Sequence, residues 1–321
     1  MSKKLALLVI FALLLAGCGP TGSPPTKVEN PEVPSPSAPN TKLEDFIVGE
    51  TIKTGDRELI VYDVTFTNGD GLFKPDAGYQ YALVHIALKN TGKSTIGISS
   101  MLMFELRDKN GVSYDESFTS GSIVSSTIGG ILFPQKVMRG ELCFEVPKNM
   151  TEFELQVNPD VFGTKNVFSI KLNEFKEGYE DIVLPKSMQS GNEFEIGDVI
   201  KVNTVEYIVH GIKKSMGKQY FGPKEGYEYI IIDVSITNKD TKTQSISSLL
   251  MYELRDQTGL KMNDSIGASM ATNGSLSGDI MPSKVLRGEV AFEVPIGSTG
   301  LEFIIEPNVF NHDTAFIVRI N

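Results

Sequence analysis

The chain repeats itself. Shifted by 148 positions, so that Phe46 falls on Phe194, it matches itself without a gap to its last residue. Phe46-Ile47-Val48-Gly49-Glu50 opens one copy and Phe194-Glu195-Ile196-Gly197-Asp198 the other. Ile98-Ser99-Ser100-Met101-Leu102-Met103-Phe104-Glu105-Leu106-Arg107-Asp108 faces Ile246-Ser247-Ser248-Leu249-Leu250-Met251-Tyr252-Glu253-Leu254-Arg255-Asp256. The period exceeds the roughly 20–50 residues of a solenoid unit, and each copy is long enough to bury its own core. Two complete domains in tandem follow, over 44–173 and 194–321, joined by a linker over 174–193. Each copy checks the other: a catalytic or metal set should survive complete in at least one, and none does.

Within a copy the periodicity is two. In Val84-His85-Ile86-Ala87-Leu88-Lys89 the even positions are apolar, and Ile232, Val234 and Ile236 keep that face in the second copy. The other face varies freely, as half-buried strands require. Glu141 to Val146 alternates in the same way and stops at Pro147, which cannot donate to a ladder. Further strands are expected over Glu58 to Val64, Leu102 to Arg107, Phe153 to Val157 and Val167 to Leu172. Turns are expected at Asn90-Thr91-Gly92, Asp108 to Gly111 and Arg139-Gly140. No long amphipathic helical pattern interrupts them, so the expected fold is all-β, each copy an antiparallel β-sandwich.

Ahead of the repeats, Lys3 and Lys4 precede an apolar run from Leu5 to Leu15, which is shorter than the ~20 residues a spanning helix needs. It ends in Leu15-Ala16-Gly17-Cys18, similar to the lipobox of bacterial lipoproteins. Residues 1–17 are therefore expected to be a signal peptide, with diacylglycerol on the Cys18 thiol. Two or more acyl chains on one cysteine make a stable membrane anchor. Seven prolines among Ser, Thr, Gly and Asn over 19–43 make 18–43 a semi-rigid stalk from the lipidated cysteine to the first domain.

Removal of Lys3 and Lys4 with the leader takes the formal charge from −10 to −12. That balance argues against nucleic acid and other polyanions as partners. With Cys18 lipidated, Cys143 is the sole remaining thiol and faces Ala291 in the repeat, which suits a small buried residue.

The order of motifs is familiar. Gly78-Tyr79-Gln80-Tyr81 leads to Asn90, and Gly226-Tyr227-Glu228-Tyr229 to Asn238; each is followed by Leu-Arg-Asp-x-x-Gly. Val137-Met138-Arg139-Gly140-Glu141 and Val285-Leu286-Arg287-Gly288-Glu289 then lead into Phe-Glu-Val-Pro. This resembles a domain family of unknown function found in lipoproteins of Gram-positive bacteria, related in fold to the immunoprotective extracellular antigen of mycobacteria. The resemblance implies two tandem immunoglobulin-like (telokin-like) sandwiches and a cell-surface location. It carries no catalytic residues to transfer.

The charged residues kept in both copies are Glu105/Glu253, Arg107/Arg255, Asp108/Asp256, Arg139/Arg287, Glu141/Glu289 and Glu145/Glu293. Paired carboxylates could serve acid–base chemistry, but alternation places them for charge pairs across neighbouring strands. Asp108 and Asp256 open turns. His85, His210 and His312 align with Asp233, Tyr62 and Thr164, so no histidine is shared, and neither a metal ion nor a cofactor is expected. Asp70 and Asp76 hint at calcium, but Lys218 and Lys224 replace them. Tyr79, Tyr81, Tyr227 and Tyr229 are the candidate ligand-binding residues, able to stack on a sugar or peptide. The copies diverge over 62–74 against 210–222 and 112–132 against 260–280, where loops on a rigid frame could carry recognition. The expected role is non-catalytic binding of a protein, peptide or envelope component. The alternative is an accessory subunit of an envelope complex with no small ligand.

Overall fold

The computed structural model describes residues 45–320 apart from 70–72, 118–122, 161–166, 183–191, 218–220 and 264–265. Among these, the first repeat forms β1 (Asp45–Val48), β2 (Ile52–Thr54), β3 (Arg57–Thr67), β4 (Tyr79–Asn90), β5 (Ile96–Ser99), β6 (Phe104–Asp108), β7 (Ser113–Tyr114), β8 (Gly129–Leu132), β9 (Val137–Pro147), β10 (Phe153–Val157) and β11 (Phe168–Phe175). The second forms β12 (Glu193–Glu195), β13 (Ile200–Val202), β14 (Val205–Ser215), β15 (Tyr227–Asn238), β16 (Gln244–Ile246), β17 (Tyr252–Arg255), β18 (Gly278–Ile280), β19 (Val285–Pro295), β20 (Glu302–Ile305) and β21 (Phe316–Arg319).

Each repeat is an immunoglobulin-like sandwich. One sheet runs β2-β3-β4-β9 in the first domain and β13-β14-β15-β19 in the second. The opposing sheets run β1-β11-β10-β6-β7 and β12-β21-β20-β17, and a two-stranded β5-β8 or β16-β18 ribbon lies beside them. Pairing is antiparallel except that β1 runs parallel to β11 and β12 parallel to β21. The even face of β4 (Ala82, Val84, Ile86, Leu88) packs against Leu106, Phe153, Leu155 and Ile170. Ile230, Ile232, Val234 and Ile236 do the same against Leu254, Phe303 and Phe316. Both cores lie wholly within 43–321, which is one compact unit.

Several expectations need correction. Arg139-Gly140 is no turn but the interior of β9. A Cβ at Gly140 would stand 2.7 Å from the Ser126 carbonyl, and one at Gly288 2.6 Å from that of Ser275. Each glycine is where a loop crosses the strand, a recognised use of glycine inside strands. The expected strand at Leu102 starts later, because Ser100–Met103 winds into one helical turn, repeated at Ser248–Met251. Nor is the odd face of β4 wholly in solvent: Val124 covers Tyr81 and Cys143, and Ala268 and Ala271 cover Tyr229, Ile231 and Ala291. Strand β11 reaches two residues into the span expected as linker.

Both copies carry a bulge at the same place. Register slips between Val61 and Asp63 and between Val209 and Gly211, re-aiming Tyr62 and His210 as bulges do. Tyr62 donates its hydroxyl to Asp181 and accepts from Arg139, whereas His210 Nε2 meets Ser235 Oγ at 2.8 Å. Arg139 also donates to the carbonyls of Ile182 (3.3 Å) and Thr258 (3.1 Å), while its own N–H donates to Gly259 O at 3.0 Å. One guanidinium thus fastens the first domain, the segment after it and the second domain together.

Asn90 and Asn238 end β4 and β15 with no exposed surface. Asn90 Nδ2 donates to Ser94 O (2.8 Å) and Leu132 O (3.0 Å), and its Oδ1 accepts from Gly92 N (2.9 Å). Asn238 repeats this on Lys242 O, Ile280 O and Asp240 N at 2.7–2.8 Å. Each side chain clamps a turn and the neighbouring ribbon strand at once, so every polar atom of the amide is used.

Candidate binding face

The two domains meet through different surfaces. The outer face of β17, β20 and β21 in the second domain receives β8 of the first. Ile131 and Phe133 pack on Ile304, Ala315 and Ile317, all at most 2 % exposed. Glu253 and Arg255, two residues apart and therefore on one face of β17, read the incoming main chain. Glu253 Oε1 accepts from Ile131 N at 3.3 Å, Arg255 Nη1 donates to Ile131 O at 2.7 Å, and Arg255 Nη2 donates to Gly129 O at 3.3 Å. Arg255 also pairs with Glu253. A Cβ on Gly130, whose φ is +103°, would collide with the Glu253 carboxylate, so this docking demands glycine there. At the rim, Lys136 Nζ lies 2.6 Å from Glu302 and 3.4 Å from Glu193.

The first domain bears the same pair on its own outer face. Arg107 Nε donates to Glu105 at 2.9 Å, with Ser113 also donating to that carboxylate. Arg107 and Ser113 hold the Glu105 carboxyl below its usual range, which suits a hydrogen-bond acceptor rather than a general acid. Beside the pair lies an open groove of about 450 Å³ lined by Met101, Leu102, Glu105, Gln156, Asn158 and Val167. Positions 148 further on include Glu253, Ile304 and Ala315, the ground that β8 covers. The floor differs: half-buried Gln156 stands where the second domain has Ile304, and Ser169, at the position of Ile317, is 1 % exposed and donates its hydroxyl to Glu154 at 3.2 Å.

The other expected residues fall elsewhere. Tyr81 and Tyr229 are buried, at 3 % and 1 % exposure; the covering segments remove them from any stacking role. Tyr79 is 39 % exposed, and Tyr227 is half-buried at the equivalent strand start. Cys143 is buried, and burial pushes its thiol up to about 12, which leaves it protonated and unreactive. Cys18 and Asp70 lie outside the described residues, among which no group of three or more metal-ligating side chains occurs. Nor is any described helix long and apolar enough to cross a membrane. The charged pairs are mixed in kind. Arg287 pairs across strands at 2.7 Å with Asp233, a residue not kept in both copies, whereas Glu105–Arg107 and Glu253–Arg255 pair within one strand. Asp108 and Asp256 do cap their turns, accepting from Asn110 and Val112 and from Thr258 and Leu260 at 2.8–3.0 Å.

His85 sits between two carboxylates, with Nδ1 on Asp63 and Nε2 3.0 Å from Glu141. The hydrogen bond His85 donates to Glu141, against partial burial and with the help of Asp63, raises its pKa to about 9. A raised histidine pKa favours the folded state in its protonated form. The contribution is complete below about 6.5 and is lost as pH rises through about 9. At a side chain 29 % exposed it is worth on the order of 2 kcal/mol after screening. Urea titrations at pH 6 and pH 9.5 should show this loss in the wild type and little of it in His85→Gln. Parallel curves for the two proteins would contradict the assignment.

Several solved structures are similar to this chain. The yjhA protein of Bacillus subtilis is 23% identical, with a TM-score of 0.32, over 40% of this chain and 98% of that one. A proposed lipoprotein of the same organism, ycdA, is 24% identical, with a TM-score of 0.32, over 39% of each chain. An uncharacterized β-sandwich protein of Clostridium difficile is 16% identical, with a TM-score of 0.30, over 43% of this chain and 99% of that one. No curated protein matches. The profile of one family matches twice, over residues 46–167 and 194–315, the two sandwiches almost end to end. The chain therefore belongs to the domain of unknown function family DUF4352, which it carries in tandem.

Proposed function

We propose that this chain is a lipid-anchored protein of the extracytoplasmic membrane face, tethered through Cys18, that binds an extended protein segment without transforming it. One observation carries the reading. The Glu253–Arg255 pair holds a strand by its main-chain N–H and C=O groups, and the identical Glu105–Arg107 pair stands beside an open groove. Main-chain contacts supply affinity for an extended segment, and the flanking pockets supply selectivity, as in other strand-docking modes. The ligand class is a protein segment with a glycine opposite Glu105 and polar neighbours over Gln156.

Binding of an immobilised panel of extended octapeptides, with and without a central glycine, tests this. The expected result is retention of glycine-containing members by the wild type and at least about a tenfold loss in Arg107→Ala, a difference of 1.4 kcal/mol. Binding that ignores both the glycine and Arg107 would refute the groove. The anchor has its own test. Cys18→Ser should move the protein from the detergent-extractable membrane fraction to the soluble fraction, since two acyl chains carry the membrane affinity. Persistence at the membrane would remove lipidation from the account.

A further inference from the structure

The contact between the domains is heterologous: two different surfaces meet, so the duplication leaves one of each without its counterpart. The receiving face left over is Glu105–Arg107 with its groove. The inserting edge left over is β18. Its register on β16 (Ile246↔Gly278, Ser245↔Asp279, Gln244↔Ile280) reproduces that of β8 on β5 (Ile98↔Gly130, Gly97↔Ile131, Ile96↔Leu132). Asp279 therefore presents its main-chain groups outward as Ile131 does. Gly278 repeats Gly130, its φ of +136° again positive, and nothing lies within 4 Å of a Cβ built there.

The rim charges recur as well. Lys284 stands at the position of Lys136, and Glu154 and Asp45 at those of Glu302 and Glu193. What changes is the plug. Ile131 and Phe133 become Asp279 and Met281, and the floor beneath them changes from Ile304 to Gln156. Edge and floor are both more polar than in the inner contact, and because Glu105 and Asp115 of the groove share the sign of Asp279, attraction falls to Arg107, to the Lys284 rim and to exposed Met281 against Met101 and Leu102.

We propose that the β18 edge of one copy of this chain docks on the Glu105–Arg107 groove of a second copy, repeating between molecules the contact made once within each. This rests on the groove being a strand-docking site, and it names the occupant. A heterologous contact leaves a free face at each end, so it extends into an open chain or closes into a ring according to the rotation it imposes. Without the apolar plug the contact is weak and reversible. It matters where anchoring concentrates the chains in a plane, since confinement raises effective concentration.

Sedimentation of the unit 43–321 decides it. Wild-type weight-average mass should rise about twofold between micromolar and ~0.5 mM solution, while Arg107→Ala and Gly278→Val each stay monomeric. Nothing lies within 4 Å of a Cβ at Gly278, but its φ of +136° strains any side chain there, so Met281→Asp, 61 % exposed on the same edge, serves as a second edge variant and should also stay monomeric. An equimolar mixture of Arg107→Ala with either edge variant is the sharper test. It retains one intact edge and one intact groove, so it should form dimers and nothing longer. A wild type monomeric throughout, or association that survives any of these substitutions, overturns the proposal. An eight-residue peptide of sequence 276–283 separates the two levels. Arg107-dependent binding of this peptide to a protein that stays monomeric would leave the groove standing and remove only self-association. Failure of the peptide and of self-association together would remove both.

Discussion

Arg255→Ala should cost about 3–5 kcal/mol, while Arg107→Ala, the same substitution at the same place in the other copy, should cost less than about 1 kcal/mol. The two side chains are 5 % and 40 % exposed. Removing Arg255 leaves the Glu253 carboxylate buried with its ion-pair partner gone, and strips the carbonyls of Ile131 and Gly129 of their donor. An uncompensated buried charge is what makes such a loss large. Removing Arg107 exposes Glu105 to water, which solvates it. The penalty at Arg255 falls on the contact between domains, so the melt of 43–321 should divide from one transition into two. The double substitution Glu253→Gln with Arg255→Met should recover much of the loss, because it removes both charges together and the Gln oxygen can still accept from Ile131 N. Equal effects of the two arginine substitutions would contradict the asymmetry of the interface.

Asn90→Ala is expected to lower stability by about 2–4 kcal/mol, and Asn238→Ala by a similar amount. Each change deletes three hydrogen bonds at a position with no exposed surface and leaves carbonyls and an N–H without partners. Asn90→Asp is the discriminating control. It keeps the shape and the Oδ1 acceptor but sets a second oxygen against the carbonyls of Ser94 and Leu132, so it should be at least as harmful as alanine. Guanidinium unfolding followed by far-ultraviolet circular dichroism would measure all three. An Asn90→Asp protein as stable as the wild type would show that the amide donors are not needed.

Much of this architecture is legible from alternation. The even face of β4 and the stop at Pro147 locate the central sheet, and the Asp-x-x-Gly turns appear where their side chains can cap them. The clamp made by Asn90 is not legible, because its partners lie up to 42 residues away and are main-chain atoms with no sequence signature. Gly140 misleads for a related reason: glycine marks turns and crossings alike, and only the course of the Ser126 loop tells them apart. The divergence of 112–132 from 260–280 reads as loop variation, yet those segments carry β8 and β18, and one of them has been taken into the contact between domains. A signal for that contact is present. Phe303-Ile304-Ile305 and Phe316-Ile317-Val318 are apolar on both faces, which a strand with one side in water does not need, and the first copy has Gln156 and Ser169 at the outward positions.

The parallel pairing of β1 with β11 and of β12 with β21 also fixes how each domain bears mechanical load. A strand entering at Asp45 and one leaving past Leu172 run side by side in the same direction, in register at Asp45↔Ser169 and Phe46↔Ile170. Traction applied at those two ends slides the strands along each other and loads their hydrogen bonds together, where an antiparallel terminal pair would unzip one bond at a time. Glu193↔Ile317 and Phe194↔Val318 give the second domain the same shear clamp. If the chain is tethered through Cys18 as proposed, each domain is thus strongest along the line on which it would be pulled.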